Sequence, residues 1–202
     1  TTPLSSLTVE TTGSKTNGTL FIHDSDASGT ANINVDGGGN IDFSKAAVIV
    51  LTADTVLDTD ATGGTTNAGQ VLLGAIGGTV DGTATGKQSL TINTTVNGTG
   101  NPANVTISSD VGSNTALEFV TVNAASITID GDVTTDSSGG GTGNQTYNAI
   151  GATADVTLNA NLTAINGDVR IVAGNAVIQT SGVVTTDDLL LRSEEHTSEL
   201  QS

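Results

Sequence analysis

The segment Ser126-Ile127-Thr128-Ile129-Asp130-Gly131-Asp132-Val133-Thr134-Thr135 decides how the chain is read. Ile127 and Ile129 bracket a threonine, the period of two expected of a half-buried strand. Asp130-Gly131 then turns the backbone, and a second short strand starts at Val133. The phrase Gly/Ala-Asp/Asn-Val-x-x comes back along the chain. It stands as Gly131-Asp132-Val133-Thr134-Thr135, Ala154-Asp155-Val156-Thr157-Leu158 and Gly167-Asp168-Val169-Arg170-Ile171, with a looser copy at Gly174-Asn175-Ala176-Val177-Ile178. The gaps vary, broadly one or half of a rung of roughly twenty-odd residues, as in a solenoid with insertions.

Working outward, the same alternation recurs at Leu20–Ile22, Ile33–Val35, Ile41–Phe43, Val48–Leu51, Val71–Leu73 and Leu90–Ile92. It continues at Val105–Ile107, Val120–Val122, Val156–Leu158, Val169–Ile171, Val177–Ile178 and Leu189–Leu191. No window carries an i, i+3, i+4, i+7 apolar stripe, so almost no helix is expected. Turn dipeptides separate the segments: Asn17-Gly18, Asp36-Gly37, Asp81-Gly82, Asn97-Gly98, Asp130-Gly131 and Asn166-Gly167. Each is a hairpin signal in isolation, but strands this short and a returning phrase favour corners of stacked coils. Three Phe, one Tyr and no Trp also suit a narrow bore filled by Val, Ile, Leu and Ala. The alternative, tandem Ig-like β-sandwiches, would normally use aromatics to fill the space between sheets. The expectation is an all-β parallel β-helix of about eight rungs, about 40 Å long at the spacing of adjacent strands.

Composition narrows the function. Five Lys+Arg face 21 Asp+Glu in 202 residues, a net charge of −16, which argues against a nucleic-acid or anionic-membrane surface. Without cysteine there is no disulfide framework or thiol chemistry. No apolar run is long enough for a membrane-spanning helix. A start at Thr1-Thr2 without methionine reads as a piece of something longer.

Residues 192–202 differ from the rest. Arg192-Ser193-Glu194-Glu195-His196-Thr197-Ser198-Glu199-Leu200-Gln201-Ser202 holds three Glu, whereas the preceding chain has only Glu10 and Glu118. The string resembles the forward translation of a common short-read sequencing adapter, with all eleven codons fitting, and is set apart from fold reasoning. Residues 1–191 then form the repeat segment, with four cations against 18 acids and a net charge of −14.

The phrases Leu117-Glu118-Phe119-Val120-Thr121-Val122-Asn123-Ala124-Ala125, Ser126–Thr134, Gly143-Asn144-Gln145-Thr146-Tyr147-Asn148 and Ala154–Leu158 resemble the repeat regions of large Gram-negative surface adhesins. The relatives are the filamentous-haemagglutinin-like exoproteins and giant autotransporter-type proteins. The resemblance spans nearly all of residues 1–191 and is one of composition and motif. It implies a right-handed parallel β-helix stalk, export to the cell surface or medium, and a role in attachment or biofilm. The family's secretion-domain signature and anchoring barrel are not in this sequence.

Groups able to do chemistry are few. Outside the tail there are one histidine, His23, one arginine, Arg170, and three lysines. A Ser-His-Asp triad would need His23 as base, and its neighbour Asp24 reads more simply as a solvating group. Carboxylate pairs that a β-helix glycosidase or lyase could use exist at Asp130/Asp132 and Asp187/Asp188. Aromatic sugar platforms and cations for an acidic polysaccharide are scarce, so no enzymatic activity and no cofactor are expected. Calcium is the better ligand expectation, with oxygen-rich clusters at Asp24/Asp26, Asp54/Asp58/Asp60 and Asp130/Asp132/Asp136. The bland reading is that these are solvated turn carboxylates. Asp36-Gly37-Gly38-Gly39-Asn40-Ile41-Asp42 misses the calcium nonapeptide spacing, and Gly139–Gly143 lacks the Lys and helix of a phosphate loop. Sequons at Asn17, Asn93, Asn97, Asn104, Asn144 and Asn161 are expected by chance in so Asn- and Thr-rich a chain.

The sequence therefore reads as a stalk or adhesive segment of a secreted or surface-exposed bacterial adhesin. Its partners would be an unidentified cell-surface receptor or glycan and the rest of its own repeat chain. Contacts are expected from insertions at 59–70, 78–88 and 136–153. A surface-layer or calcium-dependent biofilm matrix protein is the competing class, and a β-helix polysaccharide-degrading enzyme is a third.

Overall fold

A computed structural model describes residues 6–9, 19–24, 29–35, 38–60, 67–96 and 98–193. Asp26, Asn17-Gly18, Asp36-Gly37, Asn97 and the stretch 194–202 lie outside them. The chain is a parallel β-helix with three strands per coil and three seven-stranded sheets. Coil one comprises Leu7–Thr8, Thr19–Ile22 and Thr30–Asn34; coil two Ile41–Asp42, Val48–Leu51 and Asp54–Asp58; coil three Val71–Leu73, Thr79–Gly82 and Leu90–Asn93. Coil four comprises Val105–Ile107, Asp110–Val111 and Val120–Ala124, and coil five Ile127–Ile129, Val133–Asp136 and Gln145–Ala149. Coils six and seven are Val156–Leu158, Leu162–Ile165 and Val169–Ala173, then Val177–Gln179, Val184–Thr185 and Leu189–Ser193.

Strand n of each coil pairs only with strand n of the coils above and below, always in parallel. That arrangement excludes the tandem sandwich, whose sheets are antiparallel. Of the described turn dipeptides, Asp130-Gly131 and Asn166-Gly167 are corners, whereas Asp81-Gly82 ends the strand Thr79–Gly82 instead of turning, and no described pair of strands forms a hairpin. Among the described residues helix is confined to one 3₁₀ turn, Ser137–Gly139, and no described helix is long and apolar enough to cross a membrane.

Seven coils lie among the described residues, against the eight expected. Equivalent residues lie 20 apart at the shortest, Val169 to Leu189, and 35 apart at the longest, Thr55 to Leu90. Corner insertions lengthen a coil without adding a rung. At the usual strand spacing, seven coils make a rod about 30 Å long.

Short-range alternation becomes columns in the stack. Val71, Val105, Ile127, Val156 and Val177 form one column, and Leu73, Ile107, Ile129 and Leu158 form another. Leu72, Thr106, Thr128 and Thr157 between them point outward and are only partly covered. Burying each Val, Ile or Leu contributes about 1.5–3 kcal/mol, and each coil obtains that burial only from its neighbours. The bore is not free of aromatics: Phe43 and Tyr147 are the two bulkiest fully buried side chains.

Two corners show why particular residues stand there. A Cβ on Gly131 would lie 2.1 Å from the carbonyl oxygen of Ser109 in the coil before, so no other residue fits the stack. Asn166 takes φ 51, the left-handed conformation that asparagine tolerates best after glycine. The final strand extends through Arg192 and Ser193, which pair with Val172 and Ala173.

Candidate functional site

The corners differ in length, and that difference places the candidate site. Between the first and second strands the chain turns in two to five residues from coil two onward, as at 43–47, 108–109 and 130–132. Between the second and third strands, coils three, four and five carry 83–89, 112–119 and 137–144. Between the third strand and the next coil lie 59–70 and 94–104. The expected insertions are therefore narrower than the sequence suggested. Thr79–Gly82 and Gln145–Ala149 are strands inside 78–88 and 136–153. The insertions at 94–104 and 112–119 went unrecognised. In 59–70, residues 61–66 lie outside the described part.

The three insertions at the second corner stack into a shelf. Gly86 donates its N–H to Ala116 O at 2.9 Å, and Gly82 donates to Thr115 O at 3.2 Å. Lys87 Nζ donates to the carbonyl of Gly139, two coils away. A Cβ on Gly139 would sit 1.9 Å from Gly86 O, so these two backbones meet directly. Gln88 Oε1 accepts from the N–H groups of Thr83 and Ala84 and closes the first loop. The shelf shows Thr83, Thr85, Ser113, Asn114, Ser138 and Thr142 to solvent, a surface of hydroxyls and amides. Beside it, His23, Asp24, Thr52, Asp54, Lys87 and Gln88 line an open recess of about 580 Å³. His23 Nδ1 lies 2.9 Å from Thr52 Oγ1, and Asp24 Oδ2 accepts from Gly29 N at 2.7 Å.

Asp81 anchors the shelf from beneath. Its carboxylate accepts from Asn114 N, Asn114 Nδ2 and Thr115 N, at 2.9, 2.9 and 3.1 Å. Burial works to raise its pKa, but the hydrogen bonds from Asn114, Thr115 and Thr79 outweigh it and hold the carboxyl below its ordinary value.

The calcium candidates do not converge. Asp54 and Asp58 occupy opposite ends of one strand, about 13 Å apart at the strand rise, and in coil five Asp132 stands just before the strand Val133–Asp136, which Asp136 ends. A calcium ion needs its oxygens at about 2.3–2.6 Å. Among the described residues no group of three or more His, Asp or Glu could hold a metal ion. Four of the six carboxylates instead accept a backbone N–H. Asp54 Oδ1 accepts from Ser89 N at 2.9 Å, Asp58 Oδ1 from Asp60 N at 2.9 Å, and Asp136 Oδ1 from Ser138 N at 2.6 Å. Asp60 is buried. Asp130 Oδ1 accepts from Asn159 Nδ2 at 2.7 Å, while Asp132 takes Asn161 N at 2.8 Å and Asn161 Nδ2 at 3.0 Å.

That last pattern recurs at other Asp and Asn residues that stand at the start of a strand. Asp110 accepts from Asp132 N, Asp132 from Asn161 N, and Asn161 from Val183 N, at 3.0, 2.8 and 2.9 Å. Asp155 does the same for Ala176 N at 3.0 Å, and Asn144 for Asp168 N at 2.9 Å. Each such side chain clamps the corner of one coil onto the next. The outward asparagines form a second ladder: Asn123 Nδ2 donates to Asn93 Oδ1 and Asn148 Nδ2 to Asn123 Oδ1, both at 2.8 Å, and Arg170 caps it on Asn148. Asn93, Asn144 and Asn161, read as chance sequons, are thus all engaged between coils.

No family model, curated protein or solved structure matches this chain.

Proposed function

We propose that this chain is a non-catalytic stalk and display segment of a secreted or surface-exposed bacterial adhesin. One observation carries the reading: acids and amides that could have formed a reactive cluster are used coil against coil, and a neutral polar shelf projects from one corner. Such a rod transmits position rather than chemistry. It holds the shelf of 83–89, 112–119 and 137–144 at a fixed place on a stiff support. The shelf's hydroxyls and amides suit a neutral glycan or a polar receptor surface, bound by hydrogen bonds with little charge steering.

The test is attachment. Beads coated with the chain should adhere to host or neighbouring bacterial cells. The triple change Thr83→Ala, Thr85→Ala, Lys87→Ala should reduce adhesion several-fold while leaving the β-sheet circular dichroism unchanged. Adhesion no greater than that of albumin-coated beads, or turnover of pectin or alginate by the purified chain, would overturn the reading.

A further inference from the structure

The open recess beside the shelf has its cause in corner length. Between their second and third strands coil one carries 23–29, coil two only Thr52-Ala53, and coil three 83–89. A short corner thus lies between two longer ones, and the step leaves a volume of about 580 Å³, within the range of small-molecule sites, about 300–1,000 Å³. Thr52 and Asp54 lie on its floor, His23 and Asp24 on one wall, and Lys87 and Gln88 on the other. The walls stand two coils apart, about 10 Å at the usual strand spacing. We infer that this recess binds one unit of a neutral sugar through its vicinal hydroxyls.

The polar groups around the recess alternate between donor and acceptor. Asp54 commits Oδ1 to Ser89 N at 2.9 Å and presents its other oxygen as an acceptor. Gln88 commits Oε1 to Thr83 N and Ala84 N, at 2.9 and 3.1 Å, which leaves its Nε2 hydrogens as donors. Lys87 uses one N–H on the Gly139 carbonyl and keeps two. Thr52 gives its single hydroxyl proton to Ile22 O at 3.1 Å. The 2.9 Å contact with Thr52 Oγ1 is therefore donated by His23 Nδ1, and Nε2 of the neutral ring is left as an acceptor. A carboxylate or phosphate placed here would face Asp24 and Asp54, and an ammonium group would face Lys87. Such like-charge contacts reject a ligand of either sign. A hydroxyl donates and accepts at one atom, so neighbouring hydroxyls on a ring satisfy the Asp54 acceptor and the Gln88 donor together. The inference goes beyond the display reading and does not depend on it, since sugar binding by the purified chain and attachment to cells are separate measurements.

The probes are printed oligosaccharides, neutral, sialylated, sulfated and amine-bearing, with the whole chain as analyte. Binding should be confined to neutral members. Two isosteric changes reverse the sign of a recess atom while keeping each internal bond. Asp54→Asn retains an acceptor for Ser89 N, and Gln88→Glu retains one for Thr83 N and Ala84 N. Each should lower affinity for the neutral members about ten-fold or more, with the β-sheet circular dichroism unchanged. A measurement on the parent chain places the ligand without any variant. The neutral saccharide that binds should, in solution, slow the modification of His23 Nε2 by diethyl pyrocarbonate several-fold, with His196 in the same digest as the reference. Preference for charged saccharides, no retention of any neutral one, or modification of His23 at an unchanged rate would overturn the inference. So would undiminished binding by both Asp54→Asn and Gln88→Glu, because the sugar would then sit elsewhere on the chain.

Discussion

Asp132 shows what one acidic side chain contributes to this molecule. It sits at the tight corner before Val133, and its two oxygens hold the backbone and side-chain amides of Asn161 in the next coil. Replacing it by alanine frees a corner N–H and removes a charge-assisted pair, and should cost about 1 kcal/mol because the corner is partly wet. Asp132→Asn keeps an acceptor for Asn161 N and should recover most of that loss; urea midpoints of the two variants check the order. Asp81 makes a pH-dependent contribution. Its folded carboxyl titrates below the ordinary value of 3.8, so its stabilisation is complete above that pH and is lost as the pH falls through the folded value. Stability measured from pH 5 down to pH 2 should therefore fall less steeply in Asp81→Asn than in the parent.

At the scale of the element, coil five departs most from the simple column rule. In Gln145-Thr146-Tyr147-Asn148-Ala149 the inward set is Gln, Tyr and Ala. Gln145 donates to Val133 O, Thr163 O and Thr135 Oγ1, and Tyr147 donates its hydroxyl to Gln145 Oε1 at 3.0 Å. Burial pushes the Tyr147 phenol far above its usual range, so it stays a neutral donor. Tyr147→Phe would strand Gln145 Oε1 in the bore and should destabilise by about 1–3 kcal/mol. The double variant Tyr147→Phe, Gln145→Leu should lose less than the sum of the single variants, which a thermal-unfolding cycle would measure.

This coil also shows where sequence reading stops. The Ile127-Thr128-Ile129 alternation and the Gly131-Asp132-Val133 corner disclosed the fold because side-chain period and steric demand are local. Gln145 and Tyr147 did not disclose their direction, because a polar inward column has the same period as an outward one. Lys87 meeting Gly139, and Asp81 meeting Asn114, join residues 52 and 33 positions apart. Such contacts depend on coil length, which the corner insertions vary and no periodicity encodes. The aspartate triplets were grouped by sequence proximity, whereas a strand rise of about 3.3 Å per residue carries their members apart.

For the molecule as a whole, stability follows from the stack. Apart from the shelf, where Gly86 and Lys87 meet Gly139 two coils on, each coil contacts its neighbours, so the rod behaves as a one-dimensional chain of interfaces rather than as a single core. The ends should fray first, and coil seven most, since its inward leucines lie half open. A cavity in the middle should have a different reach from one near an end. Ile129 is fully buried between Ile107 and Leu158, and Ile129→Ala should cost about 2–5 kcal/mol. Because that loss falls at one interior interface, it should weaken the coupling between coils one to four and coils six and seven. Amide hydrogen exchange is the measurement that separates the cases. Protection should fall most in coils four to six, less with distance on either side, and the C-terminal coils should exchange as a unit ahead of the rest. Ile178→Ala, on the outer face of the last coil, should leave protection in coils one to five unchanged. A uniform loss of protection along the whole rod in Ile129→Ala would mean instead that the seven coils unfold as one cooperative body.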